Sequence, residues 1–402
     1  MFDRTSIARA LATTGVAIGI ASSLNAARPT RECPIELGSN KPWVQVSVNN
    51  SKPMWFILDS GAGEGSMLDK DAAARLKLES GSETDAHIGA GEGVRVGISN
   101  IPSATLRVAE DTMTVRNMMV FSLQHVEPFE GRQIEGLLGA DFLHRNVVEI
   151  DYAQLKMRII DPADYKPSSS ALVVPINTDE GLCMAEGAIQ RPGEKAIACR
   201  FVIDTGVRGT LLLYSPFVKR HGFYTSKKPL ITATVGGGAG GETKGDLDRL
   251  ATLSIGPMTF DNPPVIYSRD SVGAFASEEA DGIIGGEILR RCKTTFDYPH
   301  DRLLLEPYAD QEPFEYDMSG TFLVGGGDDY SRVTVFSVAA KTPAAEAGLM
   351  KGDEIVSIDG KPASKLGLDG VRGLFRIPAK YRLEVKRGNE DMNVELKTRR
   401  LV

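Results

Sequence analysis

With 402 residues the chain is longer than one hydrophobic core ordinarily serves, so two or three domains are expected. Apolar residues at 42% and charged residues at 25% exclude a disordered or fibrous chain, and 42 Gly with 21 Pro favour tight turns and hence β-structure. The net charge of −7 argues against nucleic acid as a partner, which needs concentrated positive surface; the most basic run, Lys380 to Arg400, alternates with Leu and Val as a solvated strand face does.

At the N-terminus, Arg4 and Arg9 precede a weakly polar to apolar stretch from Ala10 to Leu24, and Leu24-Asn25-Ala26-Ala27 closes on small residues suited to a signal peptidase. Residues 1–27 therefore read as a signal peptide and the chain as exported, periplasmic or extracellular, the alternatives being an unstructured tail or an uncleaved anchor. No later segment holds 18 consecutive apolar residues, so no stable membrane span is expected in the mature chain. Cys33, Cys183, Cys199 and Cys292 form no CxxC and the five His are scattered, so neither a metal site nor another cofactor is expected. Cys183 and Cys199 flank a turn at Arg191-Pro192-Gly193-Glu194 and can meet across a hairpin, but four Cys allow three pairings and free buried thiols fit as well.

The next signal is an internal duplication. Trp55-Phe56-Ile57-Leu58-Asp59-Ser60-Gly61-Ala62 matches Arg200-Phe201-Val202-Ile203-Asp204-Thr205-Gly206-Val207, 145 residues on. Gly136-Leu137-Leu138-Gly139 matches Gly282-Ile283-Ile284-Gly285, and Glu149-Ile150-Asp151-Tyr152 matches Thr295-Phe296-Asp297-Tyr298, each 146 residues on. Three matches at nearly one spacing define two homologous lobes, residues 33–165 and 171–308. Val44 to Val48 alternates with period two, and Met54 to Leu58 is an apolar run suited to a strand buried on both faces. Gly-rich hairpins follow, at 88–94 and 235–241. Short helices are expected at Asp69 to Leu76 and after Gly139 and Gly285, and the Asp-, Pro- and Ser-rich stretch from Asp161 to Ser170 reads as the linker.

Each lobe thus ends an apolar strand on Asp and follows it with a small hydroxylic residue and Gly. A lone carboxylate there is costly to bury unless paired, protonated or hydrogen-bonded. If the lobes are related by a pseudo-twofold axis, Asp59 and Asp204 meet at the interface and share a proton, one serving as general base on a water and the other polarising a carbonyl. Ser60 and Thr205 are placed to hydrogen-bond across the pair, and Gly61 and Gly206 to let the backbone turn close to it. The structural alternative is two buried Asp that only organise their loops.

Asp59-Ser60-Gly61-Ala62 and Asp204-Thr205-Gly206-Val207, each followed some 80 residues later by an apolar-apolar-Gly element, resemble the retropepsin-like aspartic peptidases over residues 33–308. The resemblance implies a mainly β fold of two pseudo-symmetric barrel-like lobes in one chain, as in pepsins, and hence a monomer. It implies an aspartic-type endopeptidase with Asp59 and Asp204 catalytic, and with Leu137-Leu138-Gly139 and Ile283-Ile284-Gly285 packed behind the Asp loops. It also implies substrate-covering flaps at Gly89, Ala90 and Gly91 and at Gly236, Gly237 and Gly238. The sequence departs from the family pattern at Val207, where a small residue is usual. Arg208, if turned inward, would favour an ionised Asp204 and disturb proton sharing. Neither flap carries the aromatic residue common in pepsins, and a catalytically inactive peptide-binding or scaffold protein remains the competing class.

After Pro313 the pattern changes. Ser319 to Val324 and Val333 to Val338 read as strands, Pro343 to Gly348 as a short helix, and Glu354 to Ile358 as a strand closed by a turn at Asp359-Gly360. The order Thr342-Pro343-Ala344, Ala347-Gly348-Leu349 and Gly352-Asp353-Glu354-Ile355 is similar to the PDZ domains of exported bacterial peptidases and covers residues 314–402. This resemblance implies an α+β module whose exposed strand edge takes an extended peptide, with Gly320, Thr321, Phe322 and Leu323 at its carboxylate-binding loop and a helix from Leu368 to Arg376 as the other wall. Its partners would be peptide or protein substrates and a C-terminal peptide ligand; the alternative is that this edge packs on the lobes.

Overall fold

A computed structural model describes residues 29–86, 89–225 and 231–402, so the expected leader at residues 1–27 lies outside the described residues. The chain is mainly β, 46% strand against 13% helix. Its apolar runs form strands because Val, Ile, Phe and Leu alternate or cluster between Gly- and Asn-rich turns, which hold Asn40, Asn49 and Asn50 at positive φ.

The first lobe is an eight-stranded sheet in which Met54–Leu58, Gly136–Leu138 and Met67–Asp69 lie side by side. Gly136–Leu138 runs parallel to Met54–Leu58, pairing Gly136 with Phe56 and Leu138 with Leu58. The second lobe repeats the arrangement: Gly282–Ile284 runs parallel to Ile197–Ile203, pairing Gly282 with Phe201 and Ile284 with Ile203, and Leu211–Leu213 lies on its far side. The element expected behind each Asp loop is thus in place, and Phe56, Leu58, Leu138, Phe201, Ile203 and Ile284 are buried in one continuous core.

Six strands join the lobes underneath, in the order Arg31–Pro34, Lys156–Ile160, Val147–Asp151, Cys292–Asp297, Arg302–Pro307 and Leu172–Asn177. The lobes meet where Val147–Asp151 pairs antiparallel with Cys292–Asp297, in the register Val148 to Phe296, Glu149 to Thr295 and Ile150 to Thr294. Glu149 and Thr295 are equivalent positions of the duplication, so repeat-equivalent residues face each other across the seam. That register is what a local twofold axis requires.

The short helices stand where the pattern placed them, at Lys70–Arg75, capped by the Asp69 carboxylate, at Ala140–Arg145 and at Gly286–Leu289. All four Cys are free, and the hairpin register explains why Cys183 and Cys199 do not bridge: Cys199 lies opposite Gly187. The C-terminal unit is a six-stranded sheet with its own core, including Val333, Val335, Ile355, Val371, Phe375 and Leu383. Thr321–Gly326 is at the sheet edge, and the wall helix begins earlier than expected, spanning Ala363–Leu374 with a break at Gly367.

Candidate active site

Asp59 and Asp204 each follow the last residue of a buried strand, and each loop is fastened to the strand behind it. The Asp59 N–H donates to Leu138 O at 2.9 Å and the Asp204 N–H to Ile284 O at 2.8 Å. The following hydroxyls then lock the loops to each other. The Ser60 N–H donates to Thr205 Oγ1 and the Thr205 N–H to Ser60 Oγ, both at 3.0 Å, while Thr205 Oγ1 donates to Leu58 O at 2.6 Å and Ser60 Oγ to Ile203 O at 2.8 Å. Every donor crosses to the opposite lobe, so Ser60 and Thr205 join the two loops through a reciprocal lattice of bonds, fully buried.

Gly61 and Gly206 bring the carboxylates together. The Gly61 N–H donates to Asp59 Oδ1 at 2.9 Å and the Gly206 N–H to Asp204 Oδ1 at 2.6 Å. A Cβ on Gly61 would stand 2.3 Å from Asp204 Oδ2, and one on Gly206 would stand 2.5 Å from Asp59 Oδ1. Each glycine is therefore pressed against the other lobe's carboxylate, an approach no side chain would permit.

The two carboxyls share a hydrogen bond and titrate as a pair. Burial raises both, and for Asp204 the negative charge of Asp59 adds to it, so Asp204 is held well above the ordinary carboxylate range. For Asp59 the Lys41 ammonium and the bond to Asp204 work against burial without cancelling it. The arrangement holds one proton between two oxygens at a pH where isolated carboxylates have lost theirs.

Lys41 was not singled out by the sequence pattern. It is buried in an ion pair with Glu130, 2.6 Å from Nζ to Oε1, and lines the same cavity as the aspartates. Its only local signal is a charge at the head of the apolar run Lys41-Pro42-Trp43-Val44. Arg208 also lines this cavity, and its charge bears on Tyr316, Asp317 and Arg372. Val207 lines the cavity and packs at Gly285 without parting the loops.

The cavity over the pair has a volume of about 390 Å³ and is roofed by both flaps, with Gly89, Ala90 and Gly236 to Ala239 among its lining. Gly91 lies outside this lining but against the opposite flap: a Cβ there would meet Gly241 O at 2.1 Å. The flaps also pair with each other, Gly93 with Gly241 and Glu92 with Glu242, and the Gly240 N–H donates to Ala90 O at 2.8 Å. No flap aromatic is present, but the Phe129 ring packs against Gly237, where an added Cβ would be 2.3 Å away. Among the described residues no group of three or more His, Cys, Asp or Glu is placed to hold a metal ion.

In the C-terminal unit, Gly320 has φ +80° and sits on Thr342, while Phe322 and Leu323 are buried and Thr321 is half-buried. The strand edge expected to be exposed is covered by lobe 1, because Gly325 meets the backbone of Gly131.

Residues 44–142 and 193–288 match the family model described as aspartyl protease, and residues 317–398 match the model described as PDZ domain. No curated protein matches the chain. The two stretches of the first match fall on the two halves of the duplication and each contains one of the paired aspartates. The chain carries a retropepsin-like aspartyl protease region followed by a C-terminal PDZ domain.

Proposed function

We propose that the chain is an aspartic endopeptidase in which a water held between Asp59 and Asp204 is the nucleophile. The protonated carboxyl of the pair hydrogen-bonds the scissile carbonyl oxygen, and the ionised one takes a proton from the water as its oxygen adds to the carbonyl carbon. The resulting diol collapses when a proton passes to the amide nitrogen and the C–N bond breaks, leaving a carboxylic acid and an amine, with one proton again shared by the pair. No side-chain nucleophile is consumed. The observation that carries this reading is the reciprocal locking of the Asp loops, which sets each carboxylate against the other lobe's glycine and leaves both facing one roofed cavity.

Asp59→Asn and Asp204→Asn should each lower cleavage of a peptide library by at least about 100-fold while the protein still unfolds cooperatively. Unaltered cleavage in either variant would remove the assignment. A wild-type protein that binds peptides but cuts none at any pH between about 3 and 7 would make the chain a binding scaffold instead. The PDZ domain serves as the second peptide-recognition element when its edge strand is free of lobe 1, and the basic-then-apolar leader of residues 1–27 directs export, which fractionation of expressing cells with and without those residues would check.

A further inference from the structure

The groove of the PDZ domain lies between the edge strand Thr321–Gly326 and the helix Ala363–Leu374, where an extended peptide would add. Lobe 1 already fills it. A Cβ on Gly131 would come 2.9 Å from Leu368 Cβ on the helix, and one on Gly325 would come 2.8 Å from the Gly131 Cα, so the Gly131 backbone sits between the two walls. Just before it, the helix Glu127–Glu130 presents Phe129, whose ring lies 5.9 Å from Phe322 and, edge-on, 5.4 Å from Phe336. From the groove helix, Arg372 donates to Phe129 O at 2.9 Å and to Leu323 O at 2.8 Å, spanning the groove and holding the inserted turn. Tyr330 of the PDZ domain donates its hydroxyl to Glu127.

The loop that would take a peptide's terminal carboxylate is also engaged. The Ser319 and Gly320 N–H groups donate to Asp317 Oδ1 at 3.0 and 2.6 Å, and the Thr321 N–H to Ser319 Oγ at 3.0 Å. Two N–H groups of that loop, Gly320 and Thr321, are thus already taken by side chains of the chain itself. Phe129 meanwhile touches flap residue Gly237, and Tyr316, Phe322 and Arg372 line the cavity that holds Asp59 and Asp204. One segment of lobe 1 is ligand to the PDZ groove and wall to the cleft.

We propose that the PDZ groove is an intramolecular docking site whose ligand is the lobe 1 segment Val126–Gly131, and that the docked domain closes one end of the catalytic cleft, so that the docked enzyme accepts short peptides and excludes long chains. The second half rests on the peptidase reading. The enclosed volume agrees with it, lying near the lower end of the roughly 300–1,000 Å³ of sites that enclose small ligands. Long substrates then wait on the undocked fraction, and their apparent affinity is reduced by that fraction.

Two variants on the PDZ side test this without touching residues that line the cleft. Phe336→Ala removes one aromatic wall, and Gly325→Ala places a methyl against the Gly131 backbone. Hydrogen exchange of residues 126–131 reads docking directly, because so short a helix keeps little protection by itself. Cleavage of a denatured, carboxymethylated protein is compared with cleavage of a chromogenic hexapeptide. In both variants exchange should rise at least tenfold, and the protein-to-peptide cleavage ratio should rise at least tenfold. Unchanged exchange in both overturns the docking; raised exchange with an unchanged ratio overturns the closure. If neither wild type nor variants cleave either substrate, the peptidase reading falls and closure with it, while exchange still decides the docking.

Discussion

The two lobes share one ladder behind their aspartates and differ in what braces the acidic residue three positions beyond it. In lobe 1 that residue is Asp141, which stays local: Asp141 Oδ1 accepts the N–H and Oγ of Ser66 at 2.9 and 2.6 Å, and Ser66 Oγ accepts the Gly139 N–H at 3.1 Å. In lobe 2 it is Glu287, one methylene longer, which accepts from Asn40 of the other lobe, from Arg290, and from Arg376 of the PDZ domain. Burial works to raise Glu287, but Arg376 and Arg290 outweigh it and hold its carboxyl below the usual range. The duplicated chemistry is symmetric, and the asymmetry lies where the third domain attaches.

The largest effect tests the symmetric half. Asp59→Asn and Asp204→Asn should lose activity equally, each at least about 100-fold, since each removes one member of a pair that shares a proton. A loss confined to one lobe, read from kcat/KM on a peptide library, would mean that the other Asp is only structural. Stability should move the other way for Asp204. Its carboxyl holds a proton in the folded state that the unfolded chain has released, so folding stability falls as pH rises from the ordinary carboxylate range toward the raised value. Asp204→Asn removes that penalty, and its Tm relative to wild type should be higher at pH 7 than at pH 4; a difference that does not grow with pH would contradict the raised carboxyl.

Lys41 comes next, as an asymmetry inside the cavity that holds the two aspartates. Lys41→Met leaves Glu130 buried and unpaired and should cost roughly 3–5 kcal/mol in denaturant unfolding, most of it recovered in the double variant Lys41→Met/Glu130→Leu. Loss of the ammonium also removes the charge that lowers both carboxyls, so the acid limb of the pH–rate profile should shift upward.

These residues divide into those the sequence displays and those it hides. Asp59, Asp204 and their ladders are legible because duplication repeats them at nearly one spacing, and the Gly after each hydroxyl has few reasons to recur. The pairing of Glu149 with Thr295 follows from the same repeat once the lobes are related by a twofold. Lys41 with Glu130, Asn40 with Glu287 and Gly131 with Gly325 are contacts between segments far apart in the chain, with no periodicity to announce them. The PDZ edge reads as exposed for the same reason: a strand edge looks alike in sequence whether water or another domain covers it.

The smallest predicted effect separates the two braces. Asp141→Asn and Glu287→Gln each remove one charge from equivalent positions, but only Glu287 is tied to another domain. Arg290 and Arg376 are each about one-third exposed, so solvent offsets part of the lost pairing, and Glu287→Gln should cost about 1–2 kcal/mol in global unfolding. Asp141→Asn keeps an acceptor for Ser66 and should cost no more than about 1 kcal/mol. What distinguishes them is where the loss appears. Glu287→Gln should raise hydrogen exchange at Arg376 and its PDZ neighbours while leaving residues 62–66 as in wild type, and Asp141→Asn should do the reverse. Equal patterns in both variants would mean that Glu287 braces only its own loop and that other contacts, among them those of Phe129, Arg372, Tyr330 and Asp369, hold the PDZ domain.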